Sequence, residues 1–137
     1  MSESGMRASL VKKLVSLDAQ SIECPIKSGV PDINFKGGWI ECKSEDSWPK
    51  NPFIPTKFKH PLLPGQKVWM RRRIRKGGRC FLAAKVASDW FFWDISVFNL
   101  ERFGTMTRGE MISSSGLHYK MRIDERELCV FLMSHSC

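Results

Sequence analysis

Three side chains in one short stretch have the types and spacing for hydrolytic chemistry: Asp32, Glu41 and Lys43. In an extended strand side chains alternate, so Glu41 and Lys43 point to one face and Cys42 to the other. Which of them Asp32 meets depends on the turn at Lys36-Gly37-Gly38. A two-residue loop at Lys36-Gly37 sets Asp32 opposite Glu41, and one at Gly37-Gly38 sets it opposite Lys43. Either register gathers all three on one face, whereas a three-residue loop pairs Asp32 with Cys42 and disperses them, because a one-residue slip inverts the face. Two neighbouring carboxylates repel when ionised, and Lys43 brings one positive charge against two negative ones. A divalent cation makes up the difference, and hard oxygen ligands with room for water suit Mg²⁺, with Mn²⁺ able to substitute, rather than zinc. Such an ion lowers the pKa of a bound water and stabilises the charge that builds on a phosphate under attack, with Lys43 placed to orient the water. The competing reading of the same spacing is an ordinary cross-strand salt bridge on an exposed hairpin.

These residues need elements to hold them. Met6, Leu10, Leu14 and Leu17 recur at helical spacing, with Lys12 and Lys13 off the stripe and Ser2 or Ser4 available as a cap. Residues 21–26 and 31–35 read as extended, separated by Lys27-Ser28-Gly29, and the return strand 39–44 makes 31–44 a hairpin. The window 47–65 holds five of the chain's seven prolines and reads as an extended loop, open to mobility. Gln66, Met70 and Ile74 then mark a helix over 66–76 with a basic face, stopped by Gly77-Gly78. Residues 79–87 and 90–95 read as two strands turning at Ser88-Asp89. Beyond Asn99 the pattern weakens, and 125–133 reads equally as helix or strand. This order suits an α/β sandwich around a central mixed sheet.

The 137 residues amount to roughly one domain of about 100 to 200 residues. With 42% hydrophobic residues the chain can bury its own core, which excludes wholesale disorder. No apolar run approaches the roughly 18 residues of a membrane span, and no charged-then-apolar leader opens the chain, so a soluble intracellular protein is expected. Between Ser47 and Ser88 there are eleven Lys and Arg and no acid, while the rest of the chain carries 11 cations against 14 anions, within a net charge of +8. A one-signed segment on a mildly acidic body suits a polyanionic partner, since each neutralised phosphate releases counterions. The plainer reading is solubility. Five cysteines without a CxxC pair, and with His60, His118 and His135 away from ligand spacing, argue against zinc and for a reducing compartment.

Gly29-Val30-Pro31-Asp32, eight residues, then Glu41-Cys42-Lys43 resembles the signature of the PD-(D/E)XK nuclease superfamily, and its opening is most similar to the virus-type replication-repair (VRR-NUC) nucleases and Holliday junction resolvases. The resemblance covers about residues 3–95 of a single nuclease domain 1–137, with 47–65 as an insertion and 96–137 unassigned. It implies a restriction-endonuclease-like α/β/α sandwich with a central mixed β-sheet. It further implies that Asp32, Glu41 and the Cys42 backbone carbonyl hold Mg²⁺ or Mn²⁺ while Lys43 assists the water. Glu3 on the preceding helix completes the site, with Glu23 as the fallback, and Gln66 lies beside the metal. The activity implied is a metal-dependent DNA endonuclease selective for branched DNA, acting as a homodimer with no membrane, in the cytoplasm or with the nucleoid, or in a host cytoplasm for a viral source. A non-catalytic nucleic-acid-binding module and a same-fold nuclease for linear DNA or RNA are the alternatives.

Lys57, Lys59, Lys67, Arg71, Arg72, Arg75 and Lys76 are the candidate phosphate contacts. Trp48, Phe53 and Phe58 interleave with lysines and read either as nucleic-acid contacts or as anchors of the loop. Trp90 to Trp93 read as core. His60 is a candidate base or a solvated loop histidine.

Overall fold

The computed structural model describes residues 1–24 and 29–134. Helix α1, Glu3–Lys13, starts at Ser2, whose hydroxyl accepts the Gly5 N–H at 3.1 Å. Met6, Leu10 and Leu14 form its buried stripe, as their spacing predicts. Of the extended stretch expected over 21–26, only the start pairs, as strand β1, Gln20–Ser21. Residues 22–24 are irregular, and Pro25, Ile26, Lys27 and Ser28 lie outside the described residues.

Strands β2, Ile33–Phe35, and β3, Gly38–Glu45, form the hairpin with Phe35 opposite Gly38, the first of the two registers considered. Gly38 is required there, because a Cβ would stand 2.4 Å from the Arg79 carbonyl oxygen. Helix α2, Pro64–Arg75, begins two residues before the expected start. Proline is well suited to a first turn, where its missing N–H costs nothing, and the Gln66 side-chain oxygen accepts the Leu63 N–H at 2.9 Å. Strand β4, Cys80–Val86, runs parallel to β3, and β5, Asp89–Asp94, returns antiparallel through a turn at Ala87-Ser88, one residue earlier than expected. The unassigned remainder forms helix α3, Arg108–Ser114, strand β6, Leu117–Lys120, and helix α4, Glu125–Met133, which resolves 125–133 as helix behind an Asp124 cap.

Among the described residues six strands lie in chain order in one sheet, and only β3 and β4 are parallel. One sheet face packs Ile40, Cys42 and Phe92 against Leu10 of α1 and Leu128 of α4. The other packs Leu82 and Trp93 against Met70 of α2 and Met111 of α3. The result is the expected α/β/α sandwich with a mixed central sheet. Trp90 to Trp93 are core, alternating between the two layers, and Cys42 and Cys80 are buried thiols. His135 and Cys137 lie outside the described residues.

The proline-rich segment is pinned rather than loose. Phe58 stacks on Phe103 with centroids 4.4 Å apart, Trp48 meets Phe91 edge-on at 5.8 Å, and the Thr56 N–H donates to the Met106 carbonyl at 2.8 Å. Trp48 and Phe58 are therefore anchors, and of the three aromatics only Phe53, 85% exposed, stands clear of the body. Among the described residues no helix is long and apolar enough to cross a membrane.

Candidate active site

The hairpin register decides the geometry. With Ile33 opposite Ile40, the next residues along the two strands are Asp32 and Glu41, and Glu41 faces Gln66 of α2. The ladder ends there, and the Cys42 N–H donates to the Asp32 carboxylate at 2.9 Å. A residue in a ladder turns its N–H and its C=O toward the same neighbour, so the Cys42 carbonyl also faces the Asp32 side. The Cys42 side chain points the other way into the core, where burial pushes its thiol well above the ordinary value. Arg7, one helical turn after Glu3 on α1, donates to the second Asp32 oxygen at 3.4 Å.

Glu41 is 2% exposed and Lys43 4% exposed. The Lys43 Nζ lies 3.5 Å from Glu41 Oε2, and the Gln66 amide donates to the same oxygen at 3.2 Å. Gln66 thus caps α2 with its oxygen and holds Glu41 with its nitrogen. Glu41 Oε1 is buried with no hydrogen-bond partner, and so is Glu3 Oε1. Burial pushes the Glu41 pKa up to about 8, and the nearby Asp32 charge adds to the rise while Lys43 opposes it. Burial likewise raises Glu3, with Lys43 opposing and Asp32 adding. Glu3, rather than the exposed Glu23, is the acid from the first strand and helix whose charge acts on Glu41.

Two carboxylate oxygens without a partner among the described residues, close to a third acid, make a place where a cation could be held, because a buried acid is costly to ionise unless something positive meets it. Among the described residues no three His, Cys, Asp or Glu side chains form a ready ligand group. An ion here would draw on Asp32, Glu41 and the Cys42 carbonyl, with water filling the rest. That sparse set suits Mg²⁺, which keeps several waters and takes one or two carboxylates.

The basic residues fall into groups that the sequence did not distinguish. Lys67 and Arg71 both pair with Glu101, at 3.1 and 2.7 Å. Arg72, Arg75 and Lys76 are exposed, and among the described residues no carboxylate pairs with them. Lys57 is exposed; Lys59, also exposed, lines a cleft of about 340 Å³ with His60 and Glu3. Sequence reasoning missed Arg7, although its place four residues after Glu3 on a helix was a usable signal.

No family model matches the chain, and no curated protein matches it in sequence. Among solved structures it is similar to Hjc, a Holliday junction resolvase from the archaeal hyperthermophile Archaeoglobus fulgidus, with a TM-score of 0.50 and 14% identity over 81% of this chain and 91% of that one. The fold is resolvase-like. The overall fold is thus similar to that of a known protein, reached here by a sequence that shares little with it.

Proposed function

We propose that this chain is a divalent-metal-dependent DNA endonuclease that hydrolyses phosphodiester bonds in branched DNA. The observation that carries the reading is Glu41, a carboxylate 2% exposed whose Oε1 has no partner, beside Asp32 and Lys43 on a resolvase-like fold. Asp32, Glu41 and the Cys42 carbonyl are the residues that would hold Mg²⁺ or Mn²⁺, with Glu3 acting from α1. When bound, the ion supplies a polarised water and a counter-charge for the phosphate. Arg7 orients Asp32, and Gln66 holds Glu41. Lys43, held in the same pocket, orients the attacking water and offsets charge on the phosphate.

The cations of α2 that have no carboxylate partner grip the DNA backbone, so binding weakens steeply with salt. Resolving a four-way junction takes two symmetric cuts, so the reading includes a twofold dimer, working where DNA is kept in the cell. Asp32→Asn tests the assignment. It should abolish Mg²⁺-dependent cutting of a four-way junction while leaving binding in place, and unchanged cutting would remove Asp32 from the site. Equal cutting of a junction, a linear duplex and a single strand would overturn the preference for branched DNA.

A further inference from the structure

Glu41 does not end the stripe of side chains that β3 presents to α2. Trp39 shares its face two residues away, about 6.6 Å along the strand. On the facing helix Trp69 follows Gln66, the residue that holds Glu41, by just under one turn. The two indoles meet edge-on, with centroids 5.0 Å apart at 70°. The Arg73 guanidinium lies over both, 4.6 Å from the Trp69 centroid and 5.4 Å from that of Trp39. Its aliphatic stem runs against Gly78 so closely that a Cβ there would stand 2.6 Å from the Arg73 Cδ. Arg73, exposed at its surface, thus rests on the two indoles, and among the described residues it has no carboxylate to neutralise it.

Trp69 and Arg73 of this stack line a cleft of about 660 Å³ together with Val68, Arg72 and Lys76. Val68 is 60% exposed, an apolar side chain left uncovered beside an indole. The cleft thus offers an apolar and aromatic floor, Val68 and Trp69, beside a rim of three cations, on the helix whose Gln66 holds Glu41. An acidic peptide would use the rim and leave the floor empty, and intact duplex would present phosphates but keep its bases stacked. An unpaired nucleotide matches both parts, with its base on the floor and its phosphate on the rim.

We infer that this cleft is a subsite for one unpaired nucleotide next to the bond to be cut, which makes the substrate a DNA branch point with an unstacked base. The inference rests on the nuclease reading and adds the feature of the substrate that is read. The test measures binding alone, in the Asp32→Asn background, by fluorescence anisotropy at low salt, with a blunt duplex, the same duplex bearing a short single-stranded flap, and that flap with abasic sites.

The expected result is tighter binding to the flap than to the duplex, with the advantage lost on the abasic flap. Adding Trp69→Ala should weaken flap binding roughly tenfold and leave duplex binding nearly unchanged. Trp69→Phe, which keeps an aromatic floor, should recover most of the loss, and a circular dichroism melt identifies any variant that fails to fold. Equal affinity for all three DNAs, or an equal loss on duplex and flap in a folded Trp69→Ala or Trp69→Phe protein, would overturn the subsite and leave the nuclease reading standing. No binding to any DNA would overturn both.

Discussion

Glu41 and Asp89 are equally hidden, each 2% exposed, yet they are treated in opposite ways. Asp89 accepts hydrogen bonds from Trp48 at 2.8 Å, Arg108 at 3.1 Å and His118 at 2.8 Å. Burial works to raise its pKa, but the bonds from His118 and Trp48 and the Arg108 charge more than reverse this, leaving Asp89 below the usual carboxylate value. These partners tie the proline-rich segment, α3 and β6 to the β4–β5 turn. Glu41 has Lys43 and Gln66 on one oxygen and nothing on the other, and burial carries it to about 8. A buried acid whose cost is met from within the fold is structural. One whose cost is left standing awaits a partner from outside.

The largest expected effects separate the two acids. Glu41→Gln should lower junction cleavage by a factor on the order of 10³ and leave stability unchanged or higher, since it replaces a buried acid that is costly to ionise with a neutral group of similar volume. Asp89→Ala should do the reverse, costing about 3 kcal/mol of stability by stranding its donors while the folded fraction still cuts. Cleavage rates and urea midpoints on the same preparations check both.

The pH dependence should also differ in sign. The folded chain keeps a proton on Glu41 up to about pH 8, whereas the unfolded chain releases it near 4.5. Stability of the metal-free protein should therefore fall as pH rises through that window. Added Mg²⁺ should oppose the fall by binding the ionised carboxylate, and Glu41→Gln should flatten it. Asp89 contributes stability above its ordinary 3.8 that is lost as pH drops through its lower folded value. Urea titrations across pH 3 to 9 read both slopes.

A smaller effect probes how the site is positioned. Gly29 sits at φ 90, and a Cβ there would stand 2.5 Å from the Gly65 carbonyl oxygen at the start of α2. Gly29→Ala should cost about 2 kcal/mol and lower cleavage by shifting Asp32 relative to Gln66. The smallest effect concerns the surface. Glu101→Gln should leave stability nearly unchanged, yet tighten DNA binding and steepen its salt dependence by releasing Lys67 and Arg71. Unchanged binding would mean that these two cations face away from DNA.

Much of this arrangement was legible in the residues. The Lys36-Gly37-Gly38 turn signal and the alternation over 39–44 gave the hairpin, and either two-residue register put Asp32, Glu41 and Lys43 on one face. Local signals failed at the edges of elements. Pro64 reads as part of the proline-rich loop until its role in a first helical turn is seen, and the turn at Ala87-Ser88 rests on Ala87 at φ 53, a conformation its type does not advertise. The remaining misses are tertiary. Glu101 lies 34 residues from Lys67 and 30 from Arg71, and Asp89 lies 41 residues from Trp48, 19 from Arg108 and 29 from His118. Only the folded sheet brings them together, so no periodicity could have distinguished a paired cation from a free one.

On the proposed reading Glu41 takes a cation and Asp89 does not. Anomalous scattering from crystals soaked in Mn²⁺ tests it most directly. The account predicts one ion bound by Asp32, Glu41 and the Cys42 carbonyl, absent from the Glu41→Gln protein, and none at Asp89. Crystals with no ion at Glu41, or with the same ion retained after Glu41→Gln, would contradict it.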